Sequence, residues 1–282
     1  KETAGRKLLL RIFKGEPTHE TELRALAALS GTGIAPRAIC HDFGMSAIGA
    51  PFIVEEFIPN AGTLAPTELK SSAVISEVSH ILSRVHALGP IVDPSICDSV
   101  ALPEFESAGA MRDSEYESRL AAVWKAASSK LENGSKAMKA FACAPRHWFV
   151  HGDSHCGNFL KTDGGLRLID WESGHIGNPL EDIACFLVVA FPPFSDSEEA
   201  AFIDEYARAS KLTESHHLAW LRSKEVLAVY KVRKLVRTIA FLNSSLKSVL
   251  AQSPPPREES VAVIANGAKF FLSLLESVVS TL

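Results

Sequence analysis

Phe149-Val150-His151-Gly152-Asp153-Ser154-His155-Cys156-Gly157-Asn158-Phe159-Leu160 runs, after a short turn, into Leu168-Ile169-Asp170-Trp171-Glu172. The apolar pair Phe149-Val150 ends a buried segment. The loop after it carries Asp153 and, five residues on, Asn158. Phe159-Leu160 is apolar again, Asp163-Gly164-Gly165 supplies a turn, and Leu166 to Ile169 alternates in the manner of a strand. Asp170 falls at the end of that strand. One hairpin therefore presents three oxygen-bearing side chains, Asp153, Asn158 and Asp170. Two such oxygens suit Mg²⁺, which takes few protein ligands and completes its shell with water and phosphate. The third can orient a hydroxyl nucleophile. Phosphoryl transfer needs this equipment, because positioning and charge neutralisation supply most of its catalysis.

The loop resembles the kinase catalytic loop, H-x-D-x-x-x-x-N, followed by a metal-binding Asp. Gly152 stands in place of Arg, and Asp170-Trp171-Glu172 in place of D-F-G. Both departures are similar to the aminoglycoside phosphotransferase and choline kinase family, with its H-G-D-x-H-x-x-N and then I-D-W/F-E. Gly174-His175-Ile176-Gly177-Asn178-Pro179-Leu180-Glu181-Asp182-Ile183-Ala184 extends the match. There the chain looks most like the phosphotransferase domains associated with acyl-CoA dehydrogenases, which read A-H-x-G-D-P-x-E-D-L-A. Asn178 stands where those usually carry Asp.

The resemblance implies an α+β, bilobal, protein-kinase-like fold, with a small strand-rich lobe over residues 1–58 and a larger helical lobe over 59–282. It implies an ATP-dependent phosphotransferase that moves the γ-phosphate to a hydroxyl of a small molecule. In that scheme Asp153 orients the hydroxyl and receives its proton. Asn158 and Asp170 hold Mg²⁺. His151 braces the loop, Asp182 bonds it from a helix start, and Glu172 acts in either way.

Outward from the hairpin, Lys7 to Phe13 reads as a strand. By resemblance it carries the basic residue for the α- and β-phosphates at Arg11, whose guanidinium offers a bidentate fork. A helix starts near Glu16-Pro17-Thr18, with Leu23, Leu26, Ala27 and Leu29 as its apolar stripe. The family spacing E-x-x-x-L-x-x-L places the partner of Arg11 at Glu22, with Glu20 as the alternative on a different face. Ile34 to Ile39 and Pro51 to Phe57 read as two more strands. The second resembles G-x-P-F-x-V-M-E-x-x-x-G, which runs into the connection between lobes. Adenine would bond backbone groups near Glu56, Phe57 and Ile58; neither this nor any other motif separates ATP from GTP.

From Pro59 the pattern turns helical. Thr67 to Leu88 is amphipathic and closed by Gly89-Pro90. His86, in Arg84-Val85-His86-Ala87-Leu88, reads as a structural histidine. Pro90 to Pro103 reads as a loop. Helices are expected from Tyr116 to Leu131, closed by Asn133-Gly134, from Ser197 to Ser210, from Glu214 to Leu250 with a break, and at the end of the chain. Pro254-Pro255-Pro256 reads as a rigid break.

Composition bounds the rest. The chain is 46% hydrophobic and 22% charged with a net charge of −4, ordinary for a globular protein and without a nucleic-acid signal. The basic run Lys224 to Lys247 carries Leu227, Val232, Leu235, Ile239 and Leu242 at helical spacing, so its charges read as a solvated helix face. The five cysteines are scattered and form no C-x-x-C, which suggests a reducing, cytoplasmic setting. No stretch reads as a membrane span, and Lys269 to Leu282 reads as a core helix. A zinc site from His151, His155 and Cys156 lacks a second ligand cluster. Trp171, Trp220 and Tyr230 could box a cation but suit core packing better. Two rival readings stand beside the kinase. A metallophosphoesterase would share Gly152-Asp153-Ser154-His155 and Gly157-Asn158 but needs an upstream D-x-H and a G-H-x-H that are missing. A kinase-like binding module would keep the fold without turnover. Acidic residues after Asp170, namely Glu172, Glu181, Asp196, Glu198, Glu199, Asp204, Glu205 and Glu214, lean slightly toward a cationic acceptor.

Overall fold

The computed structural model describes residues 7–13, 18–59, 61–89, 91–92, 113–132, 135–211, 219–251 and 257–282. Expectations that fall on residues 1–6, 14–17, 90, 93–103, 133–134, 214–218 and 254–256 lie outside the described residues. In chain order the elements are β1 (Leu8–Ile12), α1 (Thr18–Ala28), β2 (Ala38–Asp42), β3 (Phe52–Glu56), β4 (Gly62–Thr63) and α2 (Ser72–His86). Then come α3 (Ser114–Lys130), α4 (Lys136–Cys143), β5 (Trp148–Val150), β6 (Phe159–Thr162), β7 (Gly165–Leu168) and β8 (His175–Gly177). The last are α5 (Pro179–Leu187), α6 (Asp196–Ala209), α7 (Lys224–Leu250) and α8 (Glu258–Thr281). By internal contacts the chain divides into two units, Lys1–Asp98 with Pro145–Leu218, and Ser99–Ala144 with Ala219–Leu282. The division expected after residue 58 falls inside the first unit.

In the first unit, β1, β3 and β2 form an antiparallel sheet in that order. Strand alternation puts Ile53 and Glu55 of β3 inside. Arg11 pairs with Ile53 and Leu9 with Glu55, so all four share one face. Helix α1 packs on this sheet and buries Ala25, Leu26 and Glu22. The strand expected over 34–39 begins only at Ala38. Pro36 lacks an N–H for a ladder, and the Ile34 carbonyl instead accepts the Leu168 amide at 2.7 Å. Helix α2 likewise starts later than expected, because the Ser71 hydroxyl accepts the Val74 amide and caps it there.

Strands β4, β6 and β7 form a second small sheet, and β5 pairs with β8. The β6–β7 hairpin forms where the sequence predicts it, with Phe159 opposite Leu168. Beneath it lies an aromatic core. Phe159 meets Phe186 edge-on, Phe186 meets Phe202, and Trp171 stacks on Phe149. These rings are fully buried, and each contributes on the order of 2–3 kcal/mol of burial. The indole N–H of Trp171 is satisfied by the Leu168 carbonyl at 3.1 Å.

The second unit is all helical: α3, α4, α7 and α8. Tyr116 donates to Asn243 at 3.2 Å, and Arg119 forms a two-pronged pair with Glu276 at 2.9 and 2.7 Å. In the basic run, Leu227, Val232, Leu235 and Ile239 are buried. Arg233 departs from the expected solvated face: it is buried, with its guanidinium over the rings of Phe141 and Tyr230. Helix α8 also corrects an expectation. By length and composition alone it could cross a membrane, since its central charges are few. Within the unit, Ala268, Leu272, Leu275, Val278 and Val279 are buried, Lys269 pairs with Asp113, and Glu276 pairs with Arg119.

Candidate active site

The site is built on the loop between β5 and β6 and on the end of β7. Strand β5 ends at Val150, and the loop turns at Gly152, whose φ is +79°. A Cβ there would collide with the Ser173 carbonyl, so this sharp turn accepts only glycine. His151 is buried beneath the loop. Its Nδ1 accepts the Asp153 amide at 3.2 Å and its Nε2 faces the Ile169 carbonyl at 3.0 Å. Those partners require the neutral ring with its proton on Nε2, and burial lowers the imidazole pKa in keeping with that. His151 thus ties the loop to the end of β7, edge-on to Trp171.

Asp182, in the first turn of α5, is the other anchor. Its Oδ2 accepts the His151 amide at 2.8 Å, and its Oδ1 accepts the Gly152 amide at 2.9 Å and the Ser154 hydroxyl at 3.1 Å. His86 of α2 meets Oδ2 at 3.0 Å and reaches the Tyr206 hydroxyl of α6 at 2.7 Å with its other nitrogen. Burial alone would push the Asp182 carboxyl up, but the bonds from His86 and the loop amide outweigh it and hold it at about 2. The helix that carries it is capped by Asn178, which accepts the Leu180 amide and donates to the Pro145 carbonyl. An Asp at that position could cap the helix but could not make the second bond.

Asn158 turns its amide nitrogen onto the Asp153 carbonyl at 2.8 Å, which leaves its side-chain oxygen pointing the other way. Its backbone carbonyl takes the Ile169 amide at 3.0 Å, fixing it against the base of Asp170. Asp170 has φ 69° and ψ 65°, a left-handed conformation that costs a non-glycine residue about 1 kcal/mol or more. Its carboxylate is over a third exposed. The Asp153 carboxylate is about a third exposed, with the Cys185 thiol 3.9 Å from one oxygen and His155 Nε2 3.6 Å from the other.

Arg11 joins the two halves. Its Nη1 meets Glu22 at 2.5 Å and its Nη2 meets Asp170 at 2.7 Å, with Glu172 at 3.9 Å. Glu22, not Glu20, is therefore the glutamate on Arg11; Glu20 lies on the outer face with Arg24. Burial pushes the Glu22 carboxyl up to about 7, against the pull of Arg11 and with added push from Glu55 and Asp170. Glu55 is a site residue that sequence reasoning missed. It is 3% exposed, its Oε1 has no partner among the described residues, and burial raises its pKa. The available signal was the alternation of β3, which buries every second residue.

Glu56, Phe57 and Ile58 lie at the far end of β3. The Glu56 carboxylate pairs with Arg167 at 3.1 Å, and its amide is committed to the Arg37 carbonyl at 2.9 Å. Phe57 is exposed, with the Lys7 ammonium over its ring. Trp171 and Tyr230 are each buried, in keeping with core packing. Among the described residues no group of three or more His, Cys, Asp or Glu is arranged to hold a metal. A magnesium ion does not need one. The donor set of one carboxylate and one amide oxygen beside an open face fits a hard ion that keeps phosphate and water in its shell.

Solved structures share this architecture. Choline kinase LicA from Streptococcus pneumoniae is 21% identical over 97% of this chain and 88% of its own, with a TM-score of 0.57. An ethanolamine kinase from Plasmodium vivax is 13% identical over 97% of this chain and 76% of its own, at 0.58. A thermostable mutant of aminoglycoside phosphotransferase APH(4)-Ia, in ternary complex with AMP-PNP and hygromycin B, is 16% identical over 98% and 88%, at 0.57. The fold is thus protein-kinase-like, with a strand-rich N-terminal part and a helical C-terminal part. The phosphotransferase enzyme family, APH, matches residues 1–221, and the chain belongs to it. No curated protein matches the chain in sequence.

Proposed function

We propose that this chain is a small-molecule kinase that transfers the γ-phosphoryl group of ATP to a hydroxyl. The observation that carries the reading is the hairpin that holds Asp153, Asn158 and Asp170 together, with Arg11 brought onto Asp170. Asp153 orients the acceptor hydroxyl and takes its proton as the new O–P bond forms. The Asn158 side-chain oxygen and Asp170 hold Mg²⁺, which, when bound, neutralises charge on the phosphates. Arg11 serves the α- and β-phosphates. Both its terminal nitrogens are engaged by carboxylates, so it reaches a phosphate by exchanging the Asp170 bond. His151 and Asp182 hold the loop and touch no substrate. The committed amide of Glu56 leaves Phe57 and Ile58 to face the base.

A family neighbour bound to AMP and another bound to AMP-PNP support a nucleotide in this role. The acceptor is a different matter. Of the carboxylates behind the lean toward a cationic acceptor, Glu181 is engaged by His175, Glu198 by Lys70 and Glu205 by Arg208, so these three count less toward it. The test is ATP consumption in Mg²⁺ with a panel of amino alcohols, aminoglycosides, sugars and hydroxyacyl compounds. Asp153→Asn is the control. Acceptor-dependent turnover well above that control is expected. Turnover no higher than the control for every acceptor would favour a binding module that keeps the fold.

A further inference from the structure

The main chain of Asp153 is held by three bonds. Its amide donates to His151, and its carbonyl accepts the His155 amide and the Asn158 side chain, each at 2.8 Å. These bonds set where the carboxylate starts but not how it is turned, because the torsion that turns a carboxylate is broad. Two side chains meet the carboxylate itself. The Cys185 thiol, 1% exposed on α5, is a donor 3.9 Å from Oδ1. His155 Nε2 faces Oδ2 at 3.6 Å.

His155 can only be a donor there. Its Nδ1 accepts the Gly157 amide at 3.0 Å, so the ring is neutral and its proton sits on Nε2. The ring lies so close over Gly157 that a Cβ there would come within 2.8 Å of Cε1 and 3.0 Å of Nδ1. Glycine at 157 thus makes room for the ring in this pose. The side chains of His155 and Asp153 are 36% and 32% exposed, so the pair is open to an incoming molecule.

We infer that His155 is a positioning residue for the phosphoryl transfer: its Nε2–H holds Oδ2 of Asp153, with the Cys185 thiol on Oδ1, and sets the plane in which the carboxylate meets the acceptor hydroxyl. The inference rests on the phosphotransferase reading above. A span of 3.6 Å is longer than a formed hydrogen bond, and catalytic hydrogen bonds often tighten only once reactants are bound. His155 touches no reactant and takes no proton, since Nε2 already carries one and Nδ1 is held by Gly157. It acts through the geometry of Asp153, on which the hydroxyl proton ends.

The two ring nitrogens separate this role from a structural one. A histidine that only caps the Gly157 turn matters through Nδ1; one that positions the base matters through Nε2. Asparagine keeps an acceptor where Nδ1 stands and puts nothing at Nε2. Glutamine carries an N–H out to the place of Nε2 and gives up Nδ1. The test is steady-state kinetics of wild type, His155→Asn and His155→Gln with ATP, Mg²⁺ and the member of the acceptor panel above that wild type phosphorylates fastest. His155→Asn should lower kcat by about ten- to a hundredfold, the scale of a misplaced reacting group, with both KM values within about threefold of wild type. His155→Gln should recover most of that loss. Wild-type kcat in His155→Asn, its failure to fold, a loss that falls on KM, or an equal loss of kcat in His155→Gln would overturn the inference and leave the kinase reading standing. Absence of acceptor-dependent turnover by wild type would remove both.

Discussion

Arg11 and Asp170 lie 159 positions apart in the chain and meet at 2.7 Å, with Glu22 on the other nitrogen of the same guanidinium. On the proposed kinase reading, a bound nucleotide would exchange the Asp170 bond of this guanidinium. Asp170→Asn removes the anionic oxygen from this pair and from the proposed magnesium site together. Nucleotide affinity in Mg²⁺ should fall by about tenfold or more, and affinity in EDTA should change little. Equal loss with and without Mg²⁺ would show that Asp170 serves the arginine alone.

The Glu22 carboxyl gives the molecule a pH signature. Its pKa rises from an ordinary 4.5 to about 7, through burial first, with Arg11 opposing and Glu55 and Asp170 reinforcing. A folded-state pKa above the unfolded one means that the native state keeps a proton which the unfolded chain has released. The stability from this group is full below about pH 4.5 and is lost as pH rises through about 7, by roughly 3 kcal/mol. Glu22→Gln cannot titrate. Urea unfolding from pH 5 to 8 should therefore show wild type losing stability relative to that variant. A constant difference across the range would contradict the shift.

Asp153→Asn keeps the shape of the side chain but cannot accept the hydroxyl proton. Turnover should drop by about two to four powers of ten, with thermal stability and nucleotide affinity near wild type. Wild-type turnover would move the chemistry elsewhere.

Gly152→Ala probes the turn beneath Asp153. The position needs φ +79°, and a methyl group would meet the Ser173 carbonyl and the His175 ring. Destabilisation of at least about 2 kcal/mol is expected from strain and collision combined. Unfolding at the wild-type urea midpoint would mean that the loop can turn another way.

What could be read from the sequence was local. The β6–β7 hairpin and the apolar stripe of α2 follow from spacings of two, three and four residues, and they fold as expected. Element starts slipped where one polar atom decides them, at Pro36 and at the Ser71 cap. The short helix α4 passed unnoticed, since its 8 residues are too few for a periodic signal. In the site, the Arg11–Glu22 pair was legible only through two separate family patterns, a strand and a helix, with Glu20 left open until the fold placed Glu22 on Arg11. The Arg11–Asp170 contact was not, because no local pattern spans that distance. Glu55 was legible only through the alternation of β3, which buries it together with Ile53. His86 read correctly as structural, but its partners Asp182 and Tyr206 come from helices that only the fold brings near.

The amides of His151 and Gly152 belong to no strand ladder; both donate to the carboxylate of Asp182, on a helix that begins some thirty residues later. Protection of those two protons against exchange with solvent is therefore set by the docking of α5 and not by motions of the loop itself. They should exchange as slowly as core amides and be released together with the helix. The same dependence orders assembly. An intermediate with β5 and β6 in place but α5 undocked would lack the carboxylate that holds the loop before Asp153, so the loop should set only when α5 docks.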